Sequence, residues 1–474
     1  MRRLALAGAV LLASCTVGPN FERPKVDSPA GYGDEATDVP SRTYGGQVDA
    51  RWWTRFRDPE LSSLVDRLAK QNLDLQSAAE RIQQSRAERD VAVSQGLPHI
   101  DAVGKYTRER ESPNGVTSLV EPMPGAPLEF NLFQPMLTAS WELDLFGRVR
   151  RAVEAADAQA QSAVEARRGL ALSAIAELAR DYMQLRQLQR EQAFVERNLA
   201  LSRKRIALVR DRFANGVATT LDIAQAEAQA STIAQDLPTL RAQQVQMINA
   251  IGLLLAEPPR SLASELIAPA TQPTVPPAVP IGLPGELMRR RPDIRQAEAG
   301  LHAATAQTGV AVAAFYPDIS LTGSFGAESL KTSSLFDWAS RAFMVGPSID
   351  LPIFEGGRLK GTLKLRKSQQ REAAVAYRKT VLTAWHDVDN ALTNYAEAQH
   401  ARADTLATTQ ADARALKAAE QQYGQGVTTF IDVITAQAAL LQSQDALARG
   451  DAQVEIALIA LYMALGGGWE TATG

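Results

Sequence analysis

Gln422-Tyr423-Gly424-Gln425-Gly426-Val427-Thr428-Thr429-Phe430-Ile431-Asp432 reads as the point where one long helical pattern stops and another begins. The chain carries it twice. The earlier copy is Arg212-Phe213-Ala214-Asn215-Gly216-Val217-Ala218-Thr219-Thr220-Leu221-Asp222, and 210 residues separate each position from its counterpart. In both, an aromatic residue closes a helix and a glycine three residues on can take φ > 0. A threonine then stands at N-cap distance from the next helix, whose first turn holds an aspartate favoured by the helix dipole. Two helical hairpins of one pattern indicate an internally duplicated chain.

Working outward, a helical pattern leads into each turn, over 148–211 and 358–421, and a shorter one returns, over 219–256 and 429–465. Each long helix has 64 residues, roughly 95 Å at ~1.5 Å per residue. Leu178, Leu185, Leu199, Ile206 and Phe213 keep a seven-residue spacing with Gln192 as the gap; Leu440, Leu447, Val454 and Leu461 do the same, which predicts coiled-coil packing. A short helix over 72–96 and the return helix 219–256 together have 63 residues, almost the length of the long helix, so that stacked end to end they would line it.

Before each long helix the period changes from helical to two. Phe133, Leu137, Ala139 and Trp141 alternate with Gln134, Thr138, Ser140 and Glu142, and Ile319, Leu321 and Phe325 alternate with Asp318, Ser320, Thr322 and Ser324. Strands are predicted near 99–111, 132–145, 318–328 and 339–351, each about the 9–11 residues of a tilted membrane strand or somewhat longer. A half-buried sheet in water would alternate in the same way. Pro135 and Pro347 fall inside the second and fourth strands, where a missing N–H calls for a rim or a bulge. The chain therefore divides into a first repeat over 51–256, a proline-rich linker over 257–284, a second repeat over 285–466 and a tail over 467–474. Four strands cannot close a barrel, so copies of the chain must share one; three copies give 12 strands and two give eight, and spacing does not choose between them.

Composition narrows the class. Hydrophobic residues make up 45% of 474 but aromatics only 6%, which favours close-packed alanine and leucine helices. A net charge of −3 without a basic patch excludes a nucleic-acid surface. Arg2 and Arg3, the apolar run Leu4–Ala13 and Leu12-Ala13-Ser14-Cys15 read as a signal peptide over 1–14, too short to span a bilayer. Its ending resembles a bacterial lipobox, which implies lipid on Cys15, the only cysteine; Thr16 in place of aspartate implies outer-membrane sorting. Loss of Arg2 and Arg3 would take the charge from −3 to −5. Residues 15–50, rich in glycine and proline, are expected to form an extended tether; 16–50 would reach roughly 115 Å at ~3.3 Å per residue.

Cys15-Thr-Val-Gly-Pro-Asn-Phe-Glu-Arg-Pro24, Trp52-Trp53 with Phe56 and Asp58-Pro59, Arg290-Arg291-Pro292-Asp293-Ile294-Arg295, Tyr316-Pro317 and Leu465-Gly466-Gly467-Gly468-Trp469 resemble the outer-membrane efflux lipoproteins of the NodT and OprM type, relatives of TolC. The resemblance covers nearly the whole mature chain. It implies a mainly α fold with a membrane β-barrel portion: a homotrimer with a 12-stranded barrel continuous with a 12-helix periplasmic tube. It also implies docking to a periplasmic adaptor and an inner-membrane pump of the RND type. By motif, Arg212, Phe213 and Gly216 of the first turn and Gln422, Tyr423 and Gly426 of the second would meet the adaptor. Asp432, with Ile431 before it and Asp222 as its first-repeat equivalent, matches a family position that rings the constriction. Gln422 departs from Arg212, and Thr435 stands where some relatives have a second acidic residue. No cofactor is expected beyond the lipid. His99, His302, His386 and His400 form no metal-ligand spacing, and neither a phosphate-binding glycine loop nor a nucleophile signature occurs, which speaks against an enzyme. The alternatives are a protein-export duct and a non-conducting periplasmic coiled-coil lipoprotein.

Overall fold

The computed structural model describes residues 16–33, 39–112, 129–269 and 273–472; the expected signal segment and Cys15 lie outside them. In chain order the elements are β1 (Arg42–Tyr44), a 3-10 turn (Trp52–Phe56), α1 (Pro59–Gln71), α2 (Leu73–Ser94), β2 (His99–Arg110), β3 (Glu129–Glu142) and α3 (Arg148–Ala214). Then come α4 (Thr220–Ala234), α5 (Asp236–Leu254), α6 (Ala263–Leu266), β4 (Ala278–Pro280), α7 (Leu287–Arg290), α8 (Pro292–Ala313), β5 (Asp318–Ala327), β6 (Arg341–Asp350), α9 (Arg358–Gly424) and α10 (Phe430–Ala464). The described residues fall into two compact units, one lying within Met1–Pro24, Ile82–Ser162 and Ala297–Ala376, the other within Lys25–Arg81, Ala163–Gln296 and Tyr377–Gly474. Each unit draws on both repeats, so the repeats expected over 51–256 and 285–466 are not separate bodies.

Helices α3 and α9 both have 67 residues. They run past the expected ends at 211 and 421 because the last turn continues through the aromatic to the residues before the glycine. The first return helix differs more. The continuous helix expected over 219–256 breaks at Gln235 into α4 and α5, whereas α10 is unbroken. Pro238 has no N–H to donate to the carbonyl four residues back, and its counterpart 210 residues on is Ala448, which has one. The heptad stripe is buried at Leu178, Leu185 and Leu199, then comes out at Phe213, which is 43% exposed.

The strands form one antiparallel sheet in the order β2-β3-β5-β6. Strand β3 covers 129–142 rather than 132–145: the Asp144 carboxylate accepts the Arg150 backbone N–H at 2.9 Å and turns the chain into α3. Strand β6 starts at Arg341, since Trp338–Ser340 make a 3-10 turn. Directly opposed residues share a face, so register gives one apolar face with Ile100, Leu137, Trp141, Leu321, Phe325, Phe343 and Ile349. The other face has pairs such as Asp101 with Thr138, Ser320 with Ser348 and Asp318 with Asp350. Pro135 sits where the β3–β5 ladder lapses, between the Met136–Gly326 pair and the separate Phe133–Ser329 bridge. A Cβ on Gly326 would stand 2.2 Å from the Pro135 carbonyl oxygen, so only glycine allows that approach. Pro347 lies on β6, which has a single neighbour.

The tether expected over 15–50 is held along most of its described length. In the first unit, Arg151, itself 4% exposed, donates to the carbonyls of Val17 (3.3 Å) and Gly18 (3.5 Å) and to Asn20 Oδ1 (2.6 Å). Val17 N–H donates to Phe146, Phe21 stacks on His302 at 4.5 Å, and Arg23 pairs with Glu298 at 2.7 Å. In the second unit, β1 pairs in parallel with β4, so the linker expected over 257–284 supplies a strand as well as α6. A sequence without period reads as free coil, yet side chains far away in sequence fix its backbone.

The second unit's core is aromatic. Trp52 is fully buried, stacks on Tyr462 at 5.2 Å and donates Nε1–H to the Gly467 carbonyl at 3.1 Å, so the expected tail over 467–474 is docked where described. Glu165, 1% exposed, pairs with Arg168 and Arg295, both at 2.7 Å, and Arg168 lies 4.6 Å over the Trp469 ring. At the start of α1, burial and then the neighbouring Glu265 push the Glu60 carboxyl up to about 7, with Asp58 adding and Arg186 opposing. Its hydrogen bond with Glu60 and the Arg67 guanidinium at 3.0 Å hold Glu265 below the usual range. Folded Glu60 thus keeps a proton that the unfolded chain has lost. Its stabilisation is complete below the ordinary value of 4.5 and is lost as pH rises towards 7. Glu265 works in the opposite sense around and below 4.5; above 5 Glu60 shares the window with Asp181, whose carboxyl is pushed up to about 6 by burial and then by Glu177. Melting temperatures between pH 5 and 8 should fall in the wild type and fall less in Glu60→Gln; parallel curves would refute this.

Candidate functional site: the paired helix tips

The two turns fold alike because their glycines allow the same cap. Gly216 and Gly426 both have φ +74°. Val217 N–H donates to the Arg212 carbonyl and Gly216 N–H to that of Phe213, both at 2.9 Å; Val427 and Gly426 do the same to Gln422 and Tyr423, at 2.9 and 3.1 Å. This crossed pair of bonds satisfies carbonyls that the ending helix leaves open. The next helix is capped from the other side. Asp222 accepts the Thr219 N–H at 2.7 Å while Thr219 Oγ1 accepts the Asp222 N–H at 3.2 Å. Asp432 Oδ2 accepts the Thr429 N–H (3.0 Å) and the hydroxyls of Thr429 (2.6 Å) and Thr428 (2.5 Å). Those bonds, the Thr428 hydroxyl first, hold the Asp432 carboxyl below the usual aspartate range.

Of the residues singled out by motif, the structure brings Arg212 and Tyr423 together. The Arg212 guanidinium donates to the carbonyls of Tyr423 and Gly424, both at 3.1 Å, and lies 4.5 Å over the Tyr423 ring. A cation is thereby placed on the C-terminal carbonyls of α9, where the helix dipole favours it. Gln422 contributes its carbonyl to the turn and supplies no matching cation for α3. Tyr423 also meets Phe430 at 5.3 Å, above a core of Val209, Ala226, Leu416, Phe430, Val433 and Leu440. Val217 and Val427 are each 73% exposed, with Leu221 at 62% and Ile431 at 48%. The sequence reading passed over these valines, although an apolar residue after each glycine at the same repeat position was the available signal.

Among the described residues no helix is long and apolar enough to cross a membrane. The outer membrane efflux protein family matches residues 64–257 and 283–467. The chain belongs to that family. It is 32% identical to outer membrane protein OprJ of Pseudomonas aeruginosa, over 98% of this chain and 95% of OprJ. It is 30% identical to nodulation protein T of Rhizobium leguminosarum bv. viciae, over 99% and 94%. The solved structure of the outer-membrane channel OprN superposes with a TM-score of 0.88 at 33% identity, covering 96% of this chain and all of that one. This efflux protein is therefore an outer-membrane channel component with a TolC-like fold, helical with a membrane sheet, and the non-conducting alternative falls away. Its sheet leaves Phe343, Val345 and Ile349 exposed on the apolar face, at 74%, 71% and 67%.

Proposed function

We propose that three copies of this chain close a 12-stranded pore that serves as the exit duct of a tripartite efflux system. The observation that carries the reading is the four-stranded sheet, apolar on one face, whose edge strands β2 and β6 each have one neighbour. In lipid an open edge leaves N–H and C=O groups without partners, at several kcal/mol per group, so copies must close the ring. The exposed valines of the tips, Phe213 and Tyr423 are the surface offered to a periplasmic adaptor, with Arg212 spacing the tips. An inner-membrane pump of the RND type supplies the energy; the duct is passive, performs no catalysis and needs no cofactor. Asp432, Ile431 and Asp222 line the constriction. Lipid on Cys15 anchors the chain, and Thr16, the first described residue, lies against Gly147.

The test is to purify the full chain from outer membranes and record from planar bilayers. A heat-modifiable trimer with discrete, cation-preferring conductance is expected; a monomer or a silent bilayer would sink the proposal. Deleting the gene and profiling drugs, metals and secreted proteins then separates drug efflux from protein export.

A further inference from the structure

A cleft of about 460 Å³ opens in the second unit where α3, the α4–α5 break and α10 meet. Its floor is apolar: Phe194, Val195, Ile233 and Leu240, the last three 7%, 1% and 8% exposed. Its rim is acidic, with Glu191, Asp236 and Asp445 against one cation, Arg449. Glu191 is buried, its side chain 6% exposed, and Oε1 accepts from Gln187 at 3.0 Å and from Arg449 at 3.4 Å. Arg449, 65% exposed, also reaches Asp445 at 2.9 Å. A solvent-borne guanidinium therefore rests on a buried carboxylate, bordered by an apolar floor that it does not fill.

Duplication does not explain the cleft. Positions 210 residues on from Glu191, Phe194, Val195, Ile233 and Leu240 are Ala401, Asp404, Thr405, Ser443 and Gly450, so the second repeat has neither the acid nor the floor. Helix packing common to both repeats would have kept the apolar residues in both.

We propose that this cleft binds a hydrophobic cation, whose charge displaces Arg449 from Glu191 while its apolar body covers the partly exposed Phe194 and Leu441. The volume is that of a small-molecule site, about 300–1,000 Å³, and the excess of carboxylates selects the sign of charge. The inference is independent of channel closure and of the tips.

Tetraphenylphosphonium and tetraphenylborate have one shape and opposite charge, and equilibrium dialysis against the full chain in nanodiscs, with empty nanodiscs subtracted, compares them. Saturable binding of the phosphonium but not the borate is expected. Glu191→Gln should weaken it by about tenfold, the scale of one lost charge contact. Ala438→Trp, which fills the cleft from an exposed position of its lining, should abolish it. Arg449→Gln should tighten it, because it removes the competitor; a purely structural ion pair would give weakening from both Glu191→Gln and Arg449→Gln. Unaltered melting curves show that each variant is folded. Equal binding of both ions, weakening by Arg449→Gln, or no saturable binding overturns the proposal.

Discussion

Asp432→Asn lowers the cation-over-anion preference of the channel by roughly tenfold, the low end of what a focused ring of like charge does to local counter-ions. The asparagine is the informative choice because Asp432 also caps α10. Its carboxylate accepts from Thr429 N–H and from two threonine hydroxyls, and an amide oxygen can still accept the N–H. The turn survives and the charge goes. Asp432→Ala removes both and should raise conductance by loosening the turn while also lowering the melting temperature. Because local hydrogen bonds hold this carboxyl below the usual range, wild-type selectivity should persist as pH falls through the ordinary aspartate value of about 3.9 and be lost only beneath it. Unchanged selectivity in Asp432→Asn, with a loss of stability confined to Asp432→Ala, would assign the residue to capping alone.

Gly326→Val removes the assembled channel from the outer membrane. The new Cβ would stand 2.2 Å from the Pro135 carbonyl oxygen and 2.8 Å from Met136 Cα, both backbone, so no side chain can swing aside. Strand β3 would have to leave β5, and the β3–β5 ladder joins the hairpin of the first repeat to that of the second. The cost should exceed the ~3 kcal/mol typical of overpacking, because the obstacle is main chain. Heat-modifiable trimer in membrane fractions is the readout. Gly323→Ala on the same strand is the control, since its Cβ would meet nothing closer than 3.5 Å and trimer should be retained. Trimer at wild-type levels in Gly326→Val would show that the close approach at Pro135 is not needed for the sheet.

Much of this arrangement was written in local pattern. The twin turns, the alternating strands and the matched long helices follow from periodicities of 3.6 and 2 and from where glycine and threonine fall. What escaped the reading depends on pairs of residues far apart in the chain. Arg151 clasps residues 17–20 from more than 130 positions away, and a stretch with no period of its own gives no sign of being held. Arg212 was read as a contact for a partner, and spacing gave no sign that its guanidinium also donates to the carbonyls of Tyr423 and Gly424, about 210 residues on. The break at Gln235 is a different kind of miss. Pro238 stands in the sequence, but the pattern shared with the return helix of the second repeat suggested one unbroken helix, and that pattern does not weigh what proline does to a helical ladder.

The clasp around residues 17–20 bears on the proposed lipidation. An enzyme that cut before Cys15 and acylated it would need the following residues as extended, accessible substrate. In the folded chain the carbonyls of Val17 and Gly18 are engaged by Arg151, and the Val17 amide is bonded to Phe146. On that proposal, maturation of the amino terminus comes first and closure of the clasp afterwards.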